Sequence, residues 1–348
     1  MTMRQPASPG LLKRLDYGPV ICAEGYLFEL ERRGYLQAGP YVPEVVLEHP
    51  DLVRQLHREF VHAGSDVVEA FTYYAHREKL TVIGKEHGVE RLNRDALAIA
   101  AEVADESGAL LAGNICNTNI WNSDSPATRK AARAMFEEQV GWAVDAGVDF
   151  IIGETFEWVG EAMAALETIK AAGKHAVMTL SIVPHGTLFD ADAVEGCRRL
   201  ADAGADVVGF NCSYGPGTML PLVERVRKNV SCHVAALPVP YRTTEEHPSF
   251  FSFRDPDRDD LPDGNPFPTA LDSFACDRHE MASFARKVYD MDVRYIGVCC
   301  GAGPHHIRSI AEILGRTPPA SRYSPDMSRH ASLGTDPIVT EAHRRYVD

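Results

Sequence analysis

Three times along the 348 residues a helix-like stretch stops on a glycine and passes through an aspartate into an apolar run. Ala63-Gly64-Ser65-Asp66-Val67-Val68 returns as Ala146-Gly147-Val148-Asp149-Phe150-Ile151-Ile152 and as Ala203-Gly204-Ala205-Asp206-Val207-Val208. Asp292-Val293-Arg294-Tyr295-Ile296 is a looser copy. A glycine stop is a helix C-cap signal, and an apolar run without alternation is how a parallel strand buried on both faces reads. Further strand candidates lie at Pro19 to Cys22, Leu110 to Ile115, Ala176 to Val183 and His233 to Pro238. Helical spacing runs over Val45 to Val61, Leu92 to Glu106, Ala127 to Val144, Glu157 to Ala172, Ala191 to Ala203 and Leu220 to Lys228. With the first and last elements this makes eight strand–helix units and no Gly-x-Gly-x-x-Gly fingerprint. The fold class expected is α/β, a (β/α)8 TIM-type barrel spanning residues 12–315, rather than an open doubly wound sheet.

Two segments break the pattern. Tyr241 to Arg278 is too long for a plain connection in a compact domain, which marks it as a lid, an interface element or a disordered insertion. The tail, 316–348, is polar and helical only at its end, so it reads as an extension that serves an oligomer contact. A net charge of −14 without a basic stripe argues against nucleic acid and against anionic lipid as partners. No stretch has signal-peptide or membrane-span character, and the eight cysteines are scattered through a large domain. That usage fits a reducing compartment, and the expected location is cytoplasmic.

Chemistry concentrates at the predicted strand ends. Aligning the repeats puts Glu154, Asn211 and Cys299 at equivalent positions, with Thr155, Cys212 and Cys300 one residue on. All fall at C-terminal strand ends, the face where barrel enzymes carry their sites. Neighbouring strand residues face opposite ways, so Cys299 and Cys300 converge only if the strand ends there and the chain turns at Gly301. A metal accounts for such a pair better than packing does, and an open zinc site wants three protein ligands, for which Cys212 is the candidate third. The bland alternative is that all three are small buried hydrophobes.

Glu31-Arg32-Arg33-Gly34-Tyr35, Ala38-Gly39-Pro40, Gln55-Leu56-His57-Arg58-Glu59-Phe60, Asn211-Cys212, Arg294 to Gly301 and Pro304 to Arg308 together resemble the zinc-dependent homocysteine S-methyltransferase family. Within that family the betaine-dependent enzymes are the nearest likeness, over roughly residues 12–315. The resemblance implies Zn2+ held by Cys212, Cys299 and Cys300, with no catalytic side chain beyond the metal-activated thiolate of the substrate. It implies homocysteine held by Glu24, Gly25 and Glu154, and a betaine-like onium methyl donor enclosed by Tyr41 and Tyr74. His305 and His306 are ligands by residue type only and are expected in the first turn of the last helix. A homodimer is expected rather than a tetramer, because the chain stops before the arm that helps assemble the tetrameric relatives.

Several positions depart from the betaine-dependent pattern. Cys22-Ala23-Glu24-Gly25 stands for Gly-Asp-Gly-Gly, moving the carboxylate by one residue. Glu69 replaces a glutamine, Thr155 a tyrosine and Tyr41 a tryptophan, and Asn114 to Asn119 differs as well. These changes keep the reaction class and open the choice of donor: a sulfonium such as dimethylsulfoniopropionate or S-methylmethionine, another betaine, or even another thiol as acceptor. A reading from a different class is a zinc- or thiol-binding barrel that has lost catalysis.

Overall fold

The computed structural model describes Arg4 and residues 7–183 and 187–335. Its centre is one sheet of eight strands: β1 (Val20–Ala23), β2 (Val67–Glu69), β3 (Leu110–Cys116), β4 (Phe150–Phe156), β5 (His175–Leu180), β6 (Val207–Asn211), β7 (His233–Leu237) and β8 (Tyr295–Val298). They run parallel in the order β1-β8-β7-β6-β5-β4-β3-β2, a nearly closed barrel with helices between successive strands. The ladder is missing only between β1 and β2. There Asp66 bridges the gap, its N–H donating to the Ile21 carbonyl at 2.8 Å and its carboxylate accepting the Ile21 N–H at 2.7 Å. The Ser65 hydroxyl adds a bond to the same carbonyl at 3.2 Å.

The same reciprocal contact explains the sequence repeat. Asp149 donates its N–H to the Leu111 carbonyl (2.8 Å) and accepts the Leu111 N–H (2.7 Å). Asp206 does so with Ala176, at 3.1 and 2.8 Å. Each aspartate thus pins the foot of its strand to the strand before it, and satisfies a backbone donor that the ladder leaves free. The glycine two residues earlier takes a positive φ in every copy (Gly64 115°, Gly147 73°, Gly204 94°), which lets the helix end and the chain reverse into the strand. In the loose fourth copy Asp292 takes that role at φ 64°, and Arg294 stands where the others have the pinning aspartate.

Alternate strand residues face the barrel axis, among them Val20, Cys22, Phe150, Ile152 and Tyr295, and the others pack against the surrounding helices. Helix Leu11–Tyr17 inserts Leu11 and Leu15 into the axial cluster. The helix expected over Val45 to Val61 is two, Val45–Glu48 and Pro50–Ala63, because Pro50 forces His49 out of helical geometry (φ −139°, ψ 59°). The last barrel helix, Pro304–Ile313, is followed by residues 316–335, where Arg316 ion-pairs with Asp66 and donates to the Pro19 carbonyl. The helical end expected for the tail falls at 336–348, outside the described residues.

Candidate active site at the barrel mouth

Going up the axis, the apolar side chains give way to a buried polar layer. Glu69 ends β2, Asn114 lies on β3, Glu154 on β4, and Asn211 ends β6; Glu24 follows β1. Two amides stitch the three carboxylates together. Asn114 Nδ2 donates to Glu69 (2.5 Å) and to Glu154 (2.6 Å). Asn211 Nδ2 donates to Glu154 (2.8 Å), to Thr155 Oγ1 (2.8 Å) and to Glu24 (3.2 Å). Burial and the neighbouring carboxylates push Glu24 and Glu69 well above the usual range. Burial lifts Glu154 to about 8, against the pull of the amides that donate to it. Three buried acceptors remain without a donor: Glu24 Oε1, Glu69 Oε2 and Asn114 Oδ1, all on residues lining one small cavity on the axis.

The cysteines converge above this layer, and strand ends are the reason. β6 stops at Asn211, and Cys212 and Ser213 turn left-handed (φ 55° and 50°), swinging the Cys212 thiol inward. β8 stops at Val298, and Cys299 and Cys300 lie in the turn before Gly301, whose φ is 91°. Arg32 holds that turn, donating to the Gly301 carbonyl and to the Tyr241 hydroxyl at 3.0 Å each. The three Sγ atoms lie within 4.8 Å of one another, and Cys299 is 4.0 Å from Cys300. Cys299 and Cys300 draw the Cys212 thiol well below its usual range, whereas burial raises Cys299 and proximity to Cys212 raises Cys300. The cluster therefore favours ionisation at Cys212, and ionising the other two thiols calls for a cation beside them, which suits a metal taking sulfur ligands. His305 and His306 begin the last helix as expected. His306 caps it through Nδ1 (3.1 Å from the Gly303 N–H), lies tilted against His305 with ring centroids 3.9 Å apart, and faces the Cys276 carbonyl rather than the thiols.

A second cavity opens outward from the cysteines. Tyr41, Tyr73, Tyr74 and Phe28 form part of its wall, with Cys212 and Cys300 at its inner end. It shares Leu27, Tyr73, Thr155 and Cys300 with the axial cavity, so the thiols stand at the junction of an acidic and an aromatic chamber. Tyr41 stacks beside Phe28 at 5.9 Å. Tyr74 lies 4.2 Å from Tyr73 and has the Lys79 ammonium 4.0 Å over its ring. Gly25 caps helix Tyr26–Arg32 and has no room for a side chain, since a Cβ would lie 2.7 Å from the Ala302 carbonyl.

The structure thus gathers Glu24, Gly25, Tyr41, Tyr74, Glu154, Cys212, Cys299 and Cys300 around one mouth and leaves His305 and His306 outside it. Glu69 and Asn114, noted in the sequence only as departures from the betaine-dependent pattern, join the polar layer, and the long 241–278 segment adds Phe250, Phe251 and Phe267 to the aromatic wall. The phenylalanine-rich run within that segment was the one available signal. The segment packs over the mouth: Tyr241, Phe250 and Phe253 are buried, and Tyr241 pairs with Ala275 across its base.

A (β/α)8 barrel with convergent thiols and a divided polar–aromatic pocket at its C-terminal face has the form of a small-molecule enzyme site. The chain belongs to the homocysteine S-methyltransferase family, whose model matches residues 25–314. It is 38% identical to betaine–homocysteine S-methyltransferase 1 of Xenopus tropicalis, over 97% of this chain and 85% of that one. It is equally 38% identical to the S-methylmethionine–homocysteine S-methyltransferase of Pongo abelii, covering 97% and 92%. The metallated form of the Escherichia coli homocysteine methyltransferase MmuM shares the fold, with a TM-score of 0.65 at 18% identity over 85% of this chain and 96% of that chain. The protein is therefore a methyltransferase of this family, and no helix among its described residues is long and apolar enough to cross a membrane.

Proposed function

We propose that this enzyme moves a methyl group from a betaine-like onium compound to the sulfur of homocysteine, giving methionine, with Zn2+ held by Cys212, Cys299 and Cys300. The observation that carries this reading is the position of the three thiols, mutually within 4.8 Å, between the acidic and the aromatic chamber. Bound zinc supplies an open position at which a thiol is held as its thiolate, the nucleophilic form. The protein's own residues do the rest. The ammonium group of homocysteine carries three N–H donors, and Glu24, Glu69 and Asn114 offer three unpartnered buried acceptors. Glu154, its two oxygens already bonded to Asn114, Asn211 and Thr155, lies beside them, and an ammonium group placed there favours the ionised carboxylates over the protonated forms that burial alone favours. Gly25 lets the backbone approach closely. Tyr41 and Tyr74 lie in the outer chamber, where aromatic faces attract an onium head by cation–π interaction.

The test is mass spectrometry of reduced, zinc-loaded protein given homocysteine and glycine betaine. Methionine appearing together with dimethylglycine supports the reading; neither appearing, with zinc present, refutes glycine betaine as donor. A sulfonium donor is the second reading. It is favoured by the small Thr155 side chain at the junction of the chambers, since a sulfonium needs less aromatic enclosure. We further take the enzyme to work as a homodimer in the cytoplasm, a reading supported by thiols that must stay reduced to hold a metal. Sedimentation of the purified protein tests the dimer.

A further inference from the structure

The outer chamber contains one cation and one anion that do not pair. Lys79, on the short helix Arg77–Thr81, and Glu157, just past β4, both line it and are both half-buried. Among the described residues neither forms an ion pair, with the other or with anything else, and the Lys79 ammonium rests 4.0 Å over the Tyr74 ring. Burial pushes Lys79 below and Glu157 above their ordinary ranges, as expected for charges that lack a counter-charge. The two come after different strands, β2 and β4, and are, the thiols apart, the charged side chains of a chamber whose lining is otherwise uncharged and rich in aromatic rings.

A chamber of that kind is complementary to a small zwitterion. Building on the methyl-transfer reading, in which the donor is an onium carboxylate, we propose that Lys79 is the residue that holds the donor's carboxylate, with the onium head toward Glu157 and the aromatic rings. The head must face the inner end of the chamber, where Cys212 and Cys300 lie, so that the methyl carbon meets the acceptor sulfur. The carboxylate tail then points away from the thiols, toward the β2 loop. Lys79 is a positioning residue in this arrangement: it selects and orients the donor and takes no part in the bond exchange. Onium compounds without a carboxylate leave Lys79 unpaired and are poor donors for that reason.

The experiment compares wild type, K79M and E157Q with two donor pairs, glycine betaine against tetramethylammonium and dimethylsulfoniopropionate against trimethylsulfonium. KM and kcat for each donor are read together with KM for homocysteine and zinc content. In wild type the carboxylated member of the productive pair is preferred. In K79M its KM rises about tenfold to a hundredfold, the range for losing a hydrogen bond to a charged group, while KM for the carboxylate-free donor, KM for homocysteine and zinc content stay put. E157Q raises KM for both members of a pair alike. An unchanged KM for the carboxylated donor in K79M overturns the proposal. So does an equal loss on both members of a pair, and so does a fall in KM for both, which would make Lys79 a competitor for the chamber. A wild-type enzyme that uses none of the four donors overturns the underlying reading first, and that failure is visible without any variant.

Discussion

The turn that presents Cys299 and Cys300 rests on one position, Gly301, and Gly301→Ala measures how much. At φ 91° an L side chain is strained by about 1–2 kcal/mol. The added Cβ would also lie 2.2 Å from the Tyr241 hydroxyl and 2.7 Å from its Cζ, so the fully buried tyrosine must shift. Overpacking of that kind costs about 1–3 kcal/mol. Moving the hydroxyl breaks its bond to Arg32, a further ~0.5–1.5 kcal/mol. The total is about 3–6 kcal/mol if the turn keeps its shape. The chain can relieve part of this only by opening the turn, which separates Cys300 from Cys212. The expected outcome is therefore a lower melting temperature in metal-free protein together with weaker zinc retention, read by calorimetry and metal analysis. Tyr241→Phe in the same chain should recover only the hydroxyl's share, because Cζ and Cε2 still stand within 2.9 Å of the new methyl. Wild-type melting and full zinc content in Gly301→Ala would refute the assignment of this glycine as the support of the turn.

Other perturbations test separate parts of the molecule. Cys212→Ala, Cys299→Ala and Cys300→Ala should each lose zinc and at least a hundredfold in methyl transfer, a loss of about 2.7 kcal/mol or more, whereas Cys197→Ala, far from the mouth behind β6, keeps both. Asp206→Ala leaves the Ala176 N–H without an acceptor and removes the Lys170 partner at 2.9 Å; about 1–3 kcal/mol should be lost in urea unfolding, with the metal site intact. His57 is buried with both ring nitrogens unpartnered, and burial lowers it to about 3. The folded state therefore refuses a proton that the unfolded chain accepts near 6.5, so this residue costs stability progressively as pH falls below that value. His57→Leu should flatten the decline in melting temperature between pH 7 and pH 5, and an equal decline in both proteins would contradict it.

How much could be read from the chain depended on how local each cause is. The strands were legible because burial on both faces leaves an unbroken apolar run, and their register put Glu154 and Asn211 in one layer with Cys299 next to it. The aspartate of the repeat was visible but its purpose was not, since its partner is a backbone amide on the preceding strand, dozens of residues away. The helix break at Pro50 is masked in the sequence because the apolar spacing carries on across it. The pairing of Glu69 with Asn114, and the folding of Phe250, Phe251 and Phe267 onto the outer chamber, are tertiary contacts that no spacing announces. The three thiols lay between these extremes: residue type suggested a common ligand, but the left-handed turn at Cys212 that makes them meet had no signature of its own.

The one joint in the barrel without a ladder has a consequence for the site. β1 and β2 are the strands that deliver Glu24 and Glu69, and what joins them is Asp66 against Ile21, with Arg316 bound to Asp66 and to the Pro19 carbonyl. Arg316 lies beyond the last barrel helix, so a residue at the periphery acts as the buckle of the ring. Loosening it is expected to open the ring at its foot and so to change the spacing of the two carboxylates carried at the other end of those strands. The spacing of the acceptor pocket is in this sense tensioned from the opposite end of the molecule, and a truncation that spares every site residue but removes Arg316 would slacken it.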